Sequence, residues 1–251
     1  MSGSPDEGFE RHVHRAADLD SVTRSTVPLL AWWRDHAASW AIPGTVDPRV
    51  TMEHEVSADC ASCGSRGKGS FSDVMVRDEA KTIAFEAKYT EPRYEQVDAW
   101  RTRGSSPENR TRVLAHWCHL IEAHTQLRID REALSPLVYQ VLHRTASACA
   151  VAADATPAEV TYLLFDDGSR DLEHYEADLQ RAASVLDPAG AIEFSILRVP
   201  TRRGPGFSAA RDLCAKAATG EDRAQIVRRA LLARELYVFP DSPERLVIEG
   251  R

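Results

Sequence analysis

Cysteine is scarce in this chain, and its number is odd. Five cysteines occur in 251 residues. A chain of this length can bury a core large enough to fold without covalent cross-links. The sequence therefore predicts free thiols and no structural disulfide, as is typical of a reducing compartment.

Long apolar segments are also missing. No run of about 18 apolar residues occurs, which excludes a transmembrane helix by sequence. The first residues lack the basic and apolar regions of a secretory signal. We expect a cytoplasmic protein that does not associate with membranes.

The chain has no excess of positive charge. It carries 31 Lys and Arg against 38 Asp and Glu, a net charge of −7. This balance argues against a protein that coats nucleic acid nonspecifically. It leaves open an enzyme with a local basic surface, for which the stretches 101–112, 202–203 and 223–234 are candidates.

The order of apolar and polar residues predicts one α/β domain with a mixed central β-sheet flanked by α-helices. Residues 1–20 are expected to form a flexible polar arm, and 21–251 a single domain with a C-terminal helical extension. Expected helices are 21–40, 108–127, 136–153, 172–186 and 222–236, and expected strands are 50–56, 71–77, 81–89, 159–165 and 192–199.

Two acidic residues and a lysine are expected to meet on neighbouring strands. Side chains alternate along a strand, so Glu86 and Lys88 project from one face while Phe85 and Ala87 project from the other. Asp73 opens the preceding strand, and a tight turn would bring it near Glu86. Glu86 and Lys88 alone are typical of an exposed ion pair, but Asp73 makes them a candidate site.

This constellation suits the hydrolysis of a phosphodiester. Such a reaction requires a divalent cation held by oxygen ligands and a positive charge near the phosphate. Asp73 and Glu86 suit the cation, and Lys88 suits the orientation or deprotonation of water. Mg²⁺ is the expected cofactor, with Mn²⁺ able to substitute.

The sequence resembles the PD-(D/E)xK nuclease superfamily, specifically its restriction-endonuclease-like proteins. The similarity spans 50–165 and rests on four segments: Gly64-Ser65-Arg66-Gly67, Ser72-Asp73, Phe85-Glu86-Ala87-Lys88-Tyr89-Thr90-Glu91, and Tyr139-Gln140-Val141-Leu142-His143-Arg144-Thr145-Ala146-Ser147. The resemblance implies a restriction-endonuclease-like core, Asp73 and Glu86 as metal ligands, Lys88 as the catalytic lysine and DNA as substrate.

Many members of that superfamily carry a further acidic ligand. Glu55 is our candidate, and Glu53 is the alternative, because both lie on the polar face of the preceding strand. Many members place this acid on the first helix instead, where Asp35 is the obvious residue. The identity of the first acidic ligand stays open.

A helix that follows the three strands supplies further candidates. Gln140, His143 and Arg144 fall at positions i, i+3 and i+4, and so share a face. Gln140 is expected to orient Lys88 or a metal-bound water, as a fourth catalytic residue. Arg144 is expected to bind a phosphate through its planar guanidinium.

Three further residues complete the predicted substrate contacts. His143, beside Arg144, is assigned to substrate binding. Arg66 and Lys68, in the glycine-rich segment 64–69, are assigned to it as well. That segment lacks the G-x4-G-K-[ST] spacing of a nucleotide-binding loop.

The Cys60-x-x-Cys63 pair resembles half of a zinc site, but no second pair follows at the usual spacing. Histidines and a cysteine on the predicted helix 108–127 would complete it only if the fold brought them across: His116, Cys118, His119 and His124. Surface histidines are the favoured interpretation. The five tryptophans are assigned to the core rather than to base stacking.

The sequence thus predicts a Mg²⁺-dependent endonuclease that cleaves DNA, with defence against foreign DNA as its setting. A catalytically silent nuclease-fold module for nucleic-acid or protein binding is the main alternative, favoured by the acidic balance. A hydrolase acting on another phosphorylated substrate is the third. A homodimer or partner proteins stay open.

Overall fold

The computed structural model describes residue 13 and the ranges 19–36, 49–153, 156–187 and 189–249. The helices in these ranges are α1 Thr26–His36, α2 Val97–Thr102, α3 Pro107–Thr125, α4 Tyr139–Val151, α5 Glu173–Leu186, α6 Phe207–Lys216 and α7 Gly220–Leu232. The strands are β1 Arg49–Val56, β2 Ser70–Arg77, β3 Thr82–Lys88, β4 Ala158–Asp166, β5 Ile192–Pro200, β6 Arg202–Arg203, β7 Tyr237–Val238 and β8 Glu244–Ile248.

Six strands form a mixed sheet in the order β1-β2-β3-β4-β5-β8. The first three are antiparallel neighbours, as short connections require. Strands β3, β4 and β5 run parallel, and their connections contain helices. Strand β8 returns antiparallel to β5. The predicted α/β fold with a mixed sheet is confirmed.

Two apolar clusters lie on opposite faces of the sheet. The first packs α3, α4 and α5 against residues such as Met75 and Ala84. The second packs α1, α6 and α7 against Val74 and Phe85. Every residue of β3 is buried, because the strand is central and covered on both faces.

The side chains of β1 change from one face of the sheet to the other partway along the strand. Met52 packs against the second cluster, whereas Val56, four residues later, packs against the first. In a regular strand both would lie on one face. Glu53 between them has a φ of 49°, a left-handed conformation that is uncommon for a residue with a side chain. Residues of β1 that would share a face in a regular strand therefore lie on opposite faces before and after Glu53.

The change at Glu53 in β1 coincides with the point at which β2 separates from β3. Pairing between these strands covers Val74 to Arg77 and stops there. Pairing between β1 and β2 continues to the start of β2 at Ser70. The first half of β2 thus follows β1 away from β3, so that among the described residues the end of β3 has no strand partner on that side.

The three-strand meander, β4 and β5 lie close to the predicted positions, but the C-terminal region was incompletely predicted. Helix α6 and strand β8 were not expected, and β8 adds to the central sheet rather than extending a helical region. The stretch 202–203, a candidate for the local basic surface, forms the short strand β6.

Most of the expected N-terminal arm lies outside the described residues, as do residues 37–40 of the first predicted helix. Val13 and Leu19 are described, and both are buried in the second cluster. The apolar core therefore reaches into the segment 1–20. Trp32, Trp33 and Trp117 are buried, as predicted.

A buried carboxylate joins four segments at one end of the sheet. Glu159 on β4 accepts hydrogen bonds from Lys81, Thr161, Ser195 and Arg245, at 2.7 to 2.8 Å. Burial alone would raise the pKa of Glu159, but the charges and hydrogen bonds of its partners outweigh burial and lower it. This carboxylate therefore stabilises the fold when it is ionised.

Replacing Glu159 with Gln is expected to lower the free energy of unfolding by about 3 kcal/mol at neutral pH, because Lys81 and Arg245 lose a buried counter-charge. A depressed pKa contributes stability that is lost as pH falls through the folded pKa, so the difference from wild type should shrink below about pH 4. Urea unfolding at both pH values measures it. Glu193→Gln, an exposed partner of Arg245, is the control. An unchanged midpoint for Glu159→Gln would contradict this role.

Candidate functional site

The E-x-K segment of β3 faces helix α4. Ala84 belongs to the first cluster and Phe85 to the second, so alternation directs Glu86 and Lys88 toward α4. Gln140 and Arg144 approach them from the first two turns of that helix. The strand and the helix together enclose a polar cluster within an apolar layer.

Asp73 lies at the bend where β2 leaves β3. Its Oδ2 accepts a hydrogen bond from the backbone N–H of Ala87 at 2.7 Å. That N–H lies beyond the last β2–β3 pair, Val74 with Phe85, so the carboxylate takes the place of a strand partner. Asp73 is thereby held beside Glu86.

Glu86 is the centre of the cluster. Its Oε1 accepts hydrogen bonds from Lys88 Nζ at 2.9 Å and from Gln140 Nε2 at 2.6 Å. Its Oε2 accepts one from Arg144 Nε. Lys88 Nζ also donates to Gln140 Oε1 at 2.6 Å. Both oxygens of Glu86 are therefore engaged, and Gln140 orients Glu86 and Lys88 together.

The charges of the cluster balance, but they are unevenly stabilised. Burial opposes ionisation of Glu86, yet Arg144 and Lys88 outweigh it and lower its pKa. Burial likewise opposes the charge of Lys88, and Glu86 outweighs it, so the pKa of Lys88 is raised. At neutral pH both groups are charged.

Asp73 differs from the other members of the cluster. Burial and the nearby charge of Glu86 raise the pKa of Asp73 to about 7, although Arg144 and Lys88 act in the opposite direction. Its side chain is also partly exposed, whereas Glu86, Lys88 and Arg144 are buried. Asp73 is therefore the member that solvent reaches and that changes protonation near neutral pH.

A second hydrogen-bond group supports Arg144. Ser70 Oγ receives hydrogen bonds from Arg144 Nη1 at 2.9 Å and from Ser147 Oγ at 2.7 Å. His143 Nδ1 lies 2.9 Å from the same oxygen. Burial, together with the charges of Arg144 and Lys88, holds the pKa of His143 well below its ordinary value. His143 is thus neutral.

Two of the predicted substrate-binding residues have partners inside the protein. Arg144 is buried in an ion pair with Glu86 and His143 contacts Ser70, so their contact with substrate stays a prediction. Arg66 and Lys68 are exposed, as a direct contact with substrate requires.

The predicted third carboxylate does not join the cluster. Glu55 pairs with Phe71, two residues before Asp73, and its side chain is exposed beside Gly69. Among the described residues no three acidic side chains bring their oxygens within 4.8 Å of one another. The structure therefore does not bring Glu55 into the cluster, and the identity of a third acidic ligand, Glu55 or Glu53, stays a prediction. Asp35 pairs with Arg34 and Arg234.

Sequence reasoning missed three polar neighbours of the cluster. Ser70 and Ser147 support Arg144, and Ser147 lies at i+3 from Arg144, a spacing that could have indicated it. Tyr175 on α5 lies near enough to Lys88 to affect the pKa of the lysine, and its buried hydroxyl has no hydrogen-bond partner among the described residues. No local pattern connects Tyr175 with β3.

The cluster fits a divalent cation only in part. Mg²⁺ takes oxygen ligands and usually keeps several waters. One oxygen of Asp73 accepts the hydrogen bond from Ala87. A cation at the other oxygen would favour the ionised form of Asp73, which burial and the charge of Glu86 disfavour. Glu86 Oε2 accepts from Arg144, and because a carboxylate oxygen has two acceptor sites, a cation would share this oxygen with Arg144. The second oxygen of Asp73 and Oε2 of Glu86 are therefore the candidate ligand atoms.

Comparison with known proteins places the chain in a family. Residues 6–193, about three quarters of the chain, match the model of a family described as "Domain of unknown function (DUF6946)". The chain belongs to the DUF6946 family. The match includes the whole cluster around Glu86 and ends at the start of β5, so that α6, α7 and β8 lie beyond it.

The comparisons give the family no activity. No curated protein and no solved structure matches the chain. In the part of the chain that the structure describes, no helix is both long and apolar enough to cross a membrane.

Replacing Asp73 with Asn is expected to stabilise the protein above pH 7. A carboxyl group whose folded pKa is raised opposes folding as pH rises from its unfolded pKa to its folded pKa. The substitution should raise the free energy of unfolding at about pH 8 by about 2 kcal/mol, since partial exposure reduces the full effect. Asn retains an acceptor for Ala87.

Urea unfolding at about pH 8 and about pH 3 tests this, because the two proteins should converge at the lower pH, where Asp73 is mostly protonated in both the folded and the unfolded state. Asp98→Asn, at an exposed position on α2, is the matched control. A destabilised Asp73→Asn at the higher pH would disprove the raised pKa.

Proposed function

We propose that this protein is a Mg²⁺-dependent nuclease of the PD-(D/E)xK type that hydrolyses phosphodiester bonds in DNA. The observation that carries the proposal is the group formed by Asp73, Glu86, Lys88 and Gln140 on one face of the sheet. Two strands and a helix supply it, and hydrogen bonds connect the last three residues. The mixed sheet with helices on both faces is compatible with a restriction-endonuclease-like core.

The residues divide the chemistry between them. A bound divalent cation supplies a Lewis acid for the phosphate oxygens and a more acidic water. Asp73, with its available oxygen, and Glu86 would hold it. Lys88, whose pKa is raised, keeps its proton on Nζ, so it acts as a positive hydrogen-bond donor to the phosphate rather than as a base. Gln140 fixes the position of Nζ.

The exposed side of the cluster offers a path for the nucleic-acid backbone. Asp73 is its solvent-accessible member, and Lys68 precedes Ser70 of the Arg144 group by two residues. Arg66 lies beside α3, because its backbone exchanges two hydrogen bonds with Asn109. Arg66 and Lys68 therefore supply local positive charge to a chain whose net charge is negative.

The ion pair between Arg144 and Glu86 favours a second candidate function, a catalytically silent nuclease-fold module. Arg144, Lys88 and Gln140 together satisfy both oxygens of Glu86 without a cation. Breaking a buried ion pair is costly unless another partner replaces the lost one. In this alternative the fold serves recognition of nucleic acid or protein.

Cleavage assays distinguish these functions. Purified protein with Mg²⁺ or Mn²⁺ should cut plasmid or linear DNA, and the variants Asp73→Asn, Glu86→Gln and Lys88→Met should each lower the rate by about 100-fold or more, because each removes a ligand or a transition-state charge. Glu108→Gln and Lys216→Met, at exposed positions, are the matched controls and should cleave at the wild-type rate.

Metal binding is measured on the same proteins by thermal unfolding. Mg²⁺ or Mn²⁺ should raise the midpoint of wild type and not that of Asp73→Asn. DNA binding without cleavage and without this shift would replace the nuclease with the silent module. Cleavage that persists in all three variants would refute the assigned site.

A further inference from the structure

A separate group of chemically reactive side chains lies in the connection between β1 and β2. Cys60 and Cys63 flank a tight turn, in which the N–H of Cys60 donates to the carbonyl of Ser65 at 3.1 Å. Gly64 has a φ of 66°, a left-handed conformation that glycine adopts without strain. The turn thus brings the two thiols to the same place.

Helix α3 adds a histidine to this turn. His116 Nε2 lies 3.2 Å from the carbonyl oxygen of Ser57 and is positioned to donate to it. Its other ring nitrogen, Nδ1, is buried and has no hydrogen-bond partner among the described residues. The residue is only 9 % exposed, so this nitrogen is a desolvated lone pair that a ligand would satisfy.

The three side chains are close enough to share one ion. Their ligand atoms all lie within 4.8 Å of one another. Tetrahedral zinc with two sulfur ligands needs these atoms about 3.5 to 3.8 Å apart, given Zn–S and Zn–N bonds of about 2.3 and 2.1 Å. Small side-chain rotations supply the difference. The sequence favoured a surface histidine here, and the structure corrects this, because the fold carries His116 across to the cysteines.

We propose that Cys60, Cys63 and His116 bind a zinc ion, with water as the fourth ligand. Two thiolates and an imidazole suit zinc, whereas Mg²⁺ and Ca²⁺ take oxygen ligands. This site is separate from the cluster around Glu86 and does not depend on nuclease activity.

The surroundings of the three ligands support this assignment. The backbone N–H of Cys63 donates to Cys60 Sγ at 3.2 Å, and Ser62 Oγ lies 3.2 Å from the same sulfur. Hydrogen bonds of this kind stabilise a thiolate. The contact of His116 with Ser57 fixes the ring and its tautomer, as carbonyl partners do for many histidine ligands of metals.

Zinc would fasten the β1–β2 connection to α3. Asn109, two helical turns before His116, already holds Arg66 of that connection. A second attachment at Cys60 and Cys63 would also fix the chain on the N-terminal side of Arg66. The inferred role of the ion is to order this basic segment ahead of Ser70.

The test measures metal in protein purified without a metal-affinity tag and in reducing buffer. Elemental analysis should find about one zinc per chain, and Cys60→Ser, Cys63→Ser and His116→Gln should each lower the content at least about tenfold. His124→Gln, on the same helix, is the matched control and should keep its zinc.

Wild-type protein alone gives an independent test that no folding defect can affect. After removal of metal by a chelator, Co²⁺ should produce thiolate-to-metal charge-transfer and tetrahedral d–d absorption. Zn²⁺ should protect Cys60 and Cys63 from alkylation, as mapped by peptide mass. Absence of zinc, of the cobalt spectrum and of protection would overturn the proposal. So would recovery of Cys60 and Cys63 as a disulfide under reducing conditions.

Discussion

The separation of β2 from β3 at Asp73 determines the arrangement of the polar cluster around Glu86. A strand that leaves its neighbour exposes backbone groups that require other partners. The carboxylate of Asp73 provides one by accepting from Ala87, the residue between Glu86 and Lys88, whose side chains point to the face covered by α4. One side-chain-to-backbone hydrogen bond thus couples the course of the sheet to the position of the polar cluster.

Short-range periodicity explains what could be predicted. Alternation along β3 correctly placed Glu86 and Lys88 on one face, and helical spacing placed Gln140 and Arg144 on another. The structure brings these two faces together. Element order also sufficed for the mixed sheet, because short connections require antiparallel neighbours and helical connections allow parallel ones.

What escaped prediction depends on long-range geometry. Alternation along the strand places Glu55 on the polar face expected for a metal ligand. The left-handed residue at Glu53 changes the course of the strand just before Glu55. Arg144 has the chemistry of a phosphate contact, but burial opposite Glu86 makes it a counter-ion. His116 has no sequence relation to Cys60 and Cys63, since only the packing of α3 on the β1–β2 connection joins them. No local sequence pattern predicts these three outcomes.

The left-handed residue at Glu53 also affects how chains can associate. Among the described strands β1 is the outermost on its side of the sheet, and an edge strand offers unpaired N–H and C=O groups to other molecules. The turn at Glu53 divides that edge into the short segments 49–52 and 54–56, which face different directions. A second strand pairs along both segments only if it bends at the same place, as β2 does beside Asp73. A straight strand of another chain lacks that bend, so the kink at Glu53 restricts edge-to-edge pairing.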